Sequence, residues 1–160
     1  AADQDVSETR TAYVGGARDA KGNGPVYSAF MKYGGPEDAY FEWTEGRALA
    51  EWISDNEGYS RTVIAHSYGG DTAAGIIAKG NYVERLITVD PVGRFRPSMA
   101  NVAKYTGEWS NYDSKGGGER WNNSIARVGG AWNNLPKQFA DHHSVHRLGH
   151  VGICQQFCKP

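Results

Sequence analysis

Short apolar runs alternate along this chain with stretches in which apolar residues return at helical spacing, and that alternation predicts its elements. The sharpest change of period lies in Arg61 to Lys79, RTVIAHSYGGDTAAGIIAK. Thr62 to Ala65 are small, apolar and partly β-branched, which suits a strand covered on both faces. Asp71 to Ala78 then carry Ala73, Ile76 and Ile77 at helical spacing, so strand gives way to helix within a few residues of Ser67. Upstream, Thr11 to Val14 reads as a short strand running into Gly15-Gly16-Ala17-Arg18-Asp19. Val26 to Tyr33 reads as a helix opened by Pro25 and closed by Gly34-Gly35-Pro36. Ala39 to Trp43 is a strand, and Glu45 to Asn56, with Ala48, Leu49, Trp52 and Ile53 on one face, is an amphipathic helix.

Downstream, Glu84 to Val89 is a compact apolar strand ended by Asp90-Pro91. Arg94 to Tyr105 reads as an irregular connection, Gly107 to Tyr112 as a strand, and Ser114 to Asn134 as a Gly- and Asn-rich excursion. His142 to Arg147 is the final strand and His150 to Phe157 a closing helix, while Ala1 to Arg10 is polar and expected to fray. Strands alternating with helices predict an α/β fold with a mostly parallel sheet of about six strands and helices on both faces. Right-handed crossovers then put active groups at the carboxyl ends of the strands. A length of 160 residues suits one domain over 1–160 with a single core.

Composition narrows the function classes. A net charge of −1 with scattered Lys and Arg leaves no electrostatic footprint for nucleic acid or an anionic membrane surface. No apolar run reaches the roughly 18 residues a membrane span needs. The first residue is Ala1, with neither Met nor a signal-like apolar region, which reads as a processed protein or an excised domain, a secreted polypeptide being one setting. Cys154 and Cys158 lack a histidine partner at zinc-ligand spacing and read either as free thiols or as a disulfide at a frayed helix end. No metal or cofactor is expected. Asn122-Asn123-Ser124 matches a glycosylation sequon by pattern only.

The chemistry centres on Ser67. Small residues on both sides let the backbone turn tightly from strand to helix and hold the serine oxygen out at the positive end of the helix. The plain alternative is a serine capping an ordinary helix. Ala65-His66-Ser67-Tyr68-Gly69 resembles the nucleophile elbow of the α/β-hydrolases, G-x-S-x-G, with Ala in the first position. The resemblance covers about Thr11 to Phe157; the chain is similar to small lidless lipases and cutinases, with the elbow the specific part.

The resemblance implies the order nucleophile, acid, histidine. Asp90, in Val89-Asp90-Pro91, looks like the acid of the pancreatic-type lipases, which follows the same strand within a similar dipeptide; Asp113, after the next strand, is its rival. A strand-end aspartate before proline also serves as a turn cap. His142, His143, His146 and His150 all follow in order. His150, just beyond Leu148-Gly149 where the last strand ends, is the expected base, with His146 and then His143 in reserve, and His66 reads as a packed neighbour. By the same resemblance, the N–H groups of Tyr68 and of Gly16 or Ala17 form the oxyanion hole, although Gly15-Gly16 also serves any turn.

The expected activity is hydrolysis of a carboxylic ester or lipid through an acyl-enzyme on Ser67. Thioester or amide acyl hydrolysis uses the same machinery. A toxin-like lipase module of a longer secreted polypeptide would have a small neutralising protein as partner. A non-catalytic binding protein that kept the fold is the alternative from another class.

Overall fold

The computed structural model describes residues 8–20, 22–93, 96–115, 130, 132 and 134–160. Its elements are β1 (Thr9–Gly15), α1 (Pro25–Tyr33), β2 (Ala39–Glu42), α2 (Gly46–Asp55), β3 (Ser60–His66), α3 (Tyr68–Ala78), β4 (Val83–Val89), α4 (Met99–Lys104), β5 (Thr106–Ser114), a 3-10 turn (Leu135–Gln138), β6 (His142–His146) and α5 (His150–Phe157). The strands form one six-stranded sheet in the order β2-β1-β3-β4-β5-β6. Every neighbouring pair is parallel.

Alternation along the strands divides the core into two layers. Ala12, Val14, Val63, Ala65, Leu86 and Trp109 face the layer holding Leu49 and Ile53 of α2, Ala73 and Ile77 of α3, and Met99 and Val102 of α4. Tyr13, Ile64, Ile87 and Val89 point the other way, onto Val26 and Ala29 of α1 and Ile153 and Cys154 of α5. Helices therefore cover both faces. β3 and the second half of β4 are buried on both sides, so Thr62 to Ala65 and Leu86 to Val89 read as apolar runs rather than as alternating ones.

The N-terminal ends of β3 and β4 are clamped together. Arg61 Nε and Nη2 reach the two carboxylate oxygens of Glu84 at 2.8 and 3.0 Å, and Arg61 Nη1 donates to Ile53 O at 2.9 Å. Arg61 is buried but Glu84 is partly exposed, so solvent screens the pair and losing one partner costs less than the roughly 3–5 kcal/mol of a fully buried pair. The clamp also supports a register in which His66 lies opposite Val89, so that Ser67 and Asp90 leave the sheet side by side.

Four expectations need amendment. Thr9 and Arg10, expected to fray with the polar N-terminus, open β1 and pair with Ser60 and Arg61 of β3. The irregular connection expected over Arg94 to Tyr105 contains the helix α4, whose Ser98 cap accepts a bond from Asn101 N at 3.3 Å; six residues are too few to show a helical period. The strand drawn to Tyr112 runs on to Ser114, so Asp113 lies within β5 instead of on the loop beyond it. Polar residues buried inside the sheet carry no apolar signal, so the sequence pattern does not show the end of this strand. The cysteine pair, left open between two states, forms a disulfide, because Cys158 is the first residue past α5 (φ −77, ψ 68) and its Cα sits 4.8 Å from that of Cys154. The sequon Asn122-Asn123-Ser124 and Ala1 to Ser7 lie outside the described residues. Among the described residues no helix is long and apolar enough to cross a membrane.

Candidate active site at the carboxyl edge of the sheet

Ser67 sits between the end of β3 and the start of α3 with φ 59 and ψ −129. A positive φ is uncommon for serine, and such a conformation costs on the order of 1–3 kcal/mol unless its surroundings enforce it. The enforcement is visible. Ser67 N donates to Val89 O at 3.1 Å, while Ser67 O accepts from Gly70 N at 2.9 Å and from Val92 N at 3.1 Å. The turn is tight because the flanking residues are small: a Cβ on Gly69 would come 2.5 Å from Val14 O, and one on Gly70 would come 2.7 Å from Pro91 Cβ. Tyr68 opens α3, so its N–H is one of the helix's unpaired first-turn donors.

Asp90 follows β4 with φ 44, a conformation that aspartate tolerates better than most residues. Its N–H donates to Tyr112 O at 2.7 Å. Its Oδ1 accepts from Ser114 N at 3.2 Å, and its Oδ2 is in a short hydrogen bond with Nδ1 of His150, the first residue of α5. Because carboxylate oxygens only accept, His150 Nδ1 carries the proton, and Nε2 is left as the ring's acceptor. Asp90 and His150 are both buried, as is Ser67 at 2 % exposure. Ser114, which no sequence signal marked, works twice: its N–H holds Asp90, and its hydroxyl donates to Leu148 O, tying the end of β5 to the loop before His150.

His66 points to the α5 side of the sheet, as its position next to Ser67 requires. Its Nε2–H donates to His150 O at 2.7 Å, and the two rings lie 4.5 Å apart. Burial first, and then repulsion from His150 whenever that ring is protonated, hold its pKa well below the usual imidazole range, so it is neutral and anchors the α5 backbone.

The rival acid lies one strand further out. Asp113 belongs to a buried polar ladder: Trp109 Nε1 donates to Thr88 Oγ1 (2.9 Å), Thr88 Oγ1 to Asn111 Oδ1 (2.6 Å), and Asn111 Nδ2 to His143 Nδ1 (3.1 Å). His143 Nε2 and Asp113 Oδ2 stand 3.8 Å apart, and neither has a hydrogen bond. Burial pushes the Asp113 carboxyl up to about 7, against the effect of Asn111 and with that of the Asp90 charge. With β4 between β3 and β5, Asp113 is two strands from Ser67, roughly 10 Å at the usual strand spacing. His146 turns to Tyr112 and Phe157, with ring centroids 6.2 and 4.5 Å away, and His142 is exposed beside Glu108.

The loop after β1 completes the edge. A Cβ on Gly16 would lie 2.6 Å from Ser67 Cβ and 3.0 Å from Ser67 Oγ, so the backbone at Gly16 touches the serine. The structure thus gathers Ser67, Tyr68, Asp90, His150 and Gly16 at one edge, with Ala17 next in the loop, and leaves Asp113, His143 and His146 in other surroundings. Among the described residues no group of three or more His, Cys, Asp or Glu side chains is arranged to hold a metal ion.

The crystal structure of the esterase domain from a Rhodothermus marinus protein matches this chain with a TM-score of 0.56, covering 98% of this chain and 83% of that one at 13% sequence identity. The chain shares that domain's fold. No family model matches the sequence, and no curated protein matches it. At this identity the likeness is one of backbone architecture, and any chemistry has to be argued from the side chains.

Proposed function

We propose that this protein is a serine hydrolase that cleaves carboxylic esters through an acyl-enzyme on Ser67. The observation that carries the reading is the buried hydrogen bond between Asp90 and Nδ1 of His150, formed at the strand end beside the Ser67 turn. A serine hydroxyl is a weak nucleophile at neutral pH and needs a base whose free nitrogen is an acceptor. With Nδ1–H held by Asp90, Nε2 of His150 has that state.

In the proposed reaction Ser67 Oγ bonds to the ester carbonyl carbon while its proton passes to His150 Nε2. The carbonyl oxygen becomes an oxyanion that accepts from the N–H groups of Tyr68 and of Gly16 or Ala17. Collapse breaks the bond to the alcohol, which leaves with the proton from His150. Water then adds to the acyl-enzyme by the same sequence, releasing the acid and restoring Ser67. Asp90 stabilises the imidazolium formed in both halves and keeps the ring in one tautomer.

Labelling with a fluorophosphonate probe and turnover of p-nitrophenyl butyrate test this directly. Ser67→Ala should abolish labelling and lower turnover by about four decades, and Asp90→Asn should lower turnover by roughly 10⁴-fold. Near-parental turnover in folded Ser67→Ala protein would refute the proposal.

A further inference from the structure

We propose that Asp19, together with Tyr40, is a positioning residue that sets the oxyanion-binding backbone of Gly16 and Ala17. This inference rests on the esterase reading above. Asp19 is 4 % exposed, and nothing in the proposed reaction uses it. Its carboxylate accepts three bonds: from Val26 N at 2.7 Å, from Tyr27 N at 3.1 Å and from the Tyr40 hydroxyl at 2.7 Å. Its own N–H donates to Gly16 O at 3.0 Å, closing the turn that contains Ala17 and Arg18, the latter at φ 68.

The arrangement follows from what α1 lacks. Its N-cap is Gly24, which has no side chain to accept a bond, and its first residue is Pro25, which has no N–H. The first donors the helix offers are therefore Val26 and Tyr27, and Asp19 takes both from outside the helix. A carboxylate at the positive end of a helix is favoured there, and the Tyr40 hydroxyl supplies the third donor from β2. Burial pushes the Asp19 carboxyl up, and the bonds from Tyr40, Val26 and Tyr27 oppose that shift.

The same carboxylate also bears on the loop itself. A Cβ on Gly15 would stand 2.5 Å from the Tyr40 hydroxyl and 2.7 Å from Asp19 Cγ, and one on Gly24 would stand 2.5 Å from Asp19 Cγ. Backbone from both ends of the loop is therefore packed directly on the carboxylate. Gly16, one residue on from Gly15, is packed on Ser67. A chain of rigid contacts thus runs from β2 through Tyr40 and Asp19 to the N–H groups expected to meet the oxyanion. Donors aimed before the reaction are worth more than donors that must be ordered during it.

A helix cap alone would affect stability and nothing else, so the test reads the transition state separately. Tyr40→Phe removes one bond to Asp19 while keeping a ring that packs on Tyr27 and Phe30. Asp19→Asn keeps the size and removes the charge. For Tyr40→Phe we expect an unchanged KM for p-nitrophenyl butyrate, a kcat lowered about tenfold, and an affinity for a trifluoromethyl ketone that falls by the same factor as kcat/KM. Asp19→Asn should show the same pattern, more strongly. If both fold and keep kcat and ketone affinity within about twofold while the melting temperature falls, Asp19 is a cap and the proposal is overturned. If Asp19→Asn does not fold, Tyr40→Phe decides alone by the same criterion. Failure of the parent protein to label at Ser67 would instead remove the esterase reading beneath it.

Discussion

A methyl group placed on Gly16 should disable the proposed site while leaving the fold nearly intact. An alanine Cβ there would lie 2.6 Å from Ser67 Cβ and 3.0 Å from both Ser67 Oγ and His66 O. Carbon atoms rest comfortably about 3.5–4.0 Å apart, so either the loop or the serine must retreat by about 1 Å. Ser67 is held through its backbone by Val89, Val92 and Gly70, and the loop is held by the Asp19 turn, so neither is free to move without disturbing the proposed site. Misplacement on this scale costs on the order of 100-fold in rate. Overpacking of one methyl costs about 1–3 kcal/mol, and a chain of this length loses about 2–4 °C of melting temperature per kcal/mol. Steady-state kinetics on p-nitrophenyl butyrate, the rate of fluorophosphonate labelling and a thermal melt measure the three quantities. The expected result for Gly16→Ala is a kcat lower by about two decades, a KM little changed and a modest fall in melting temperature. A folded Gly16→Ala protein with kcat within about threefold of the parent would refute the assignment of this loop to the site.

Gly75→Ala is the matching control. A Cβ there meets nothing within 4 Å in the middle of α3, so the substitution should gain up to about 1 kcal/mol of helix stability and leave turnover unchanged. Asp113→Asn should change stability with pH and barely change activity. Folded Asp113 titrates near 7 against an ordinary 3.8, so between those values the folded chain holds a proton that the unfolded chain has released, and stability falls as pH rises through that window. The shift of about three units sets a ceiling on the order of 4 kcal/mol, so melts should show Asp113→Asn more stable than the parent at about pH 8 and equal to it at about pH 4. An identical difference at both pH values would contradict this account of Asp113. Among the histidines, His150→Ala should abolish probe labelling of Ser67 at about pH 7, while His143→Ala and His146→Ala keep it, the latter with about 1 kcal/mol less stability for its lost contact with Phe157. Labelling that vanishes with His143 or His146 instead would move the base to that residue.

The chain's own pattern was enough to predict the α/β sheet and most of its elements, because strands buried on both faces must be apolar runs and their helices must show a stripe. It also marked Ser67, since a strand-to-helix turn between parallel-sheet elements needs small residues that no other role demands in that order. Asp90 and His150 were legible only as candidates among rivals, because spacing along the chain does not say which strand ends lie together. That required the strand order, which sets β4 beside β3 and Asp113 one strand further out. The reach of β5 to Ser114, and with it the donor that holds Asp90, was invisible because a hydrogen-bonded polar residue inside a sheet looks in sequence like one in a loop. The pairing of Asp19 with Tyr40 was hidden for a different reason: a loop aspartate and a strand tyrosine 21 residues apart give no sign in sequence that they meet. A buried carboxylate is tolerable only when donors converge on it, and here those donors come from α1 and β2, elements brought to Asp19 only by the packing of the folded sheet.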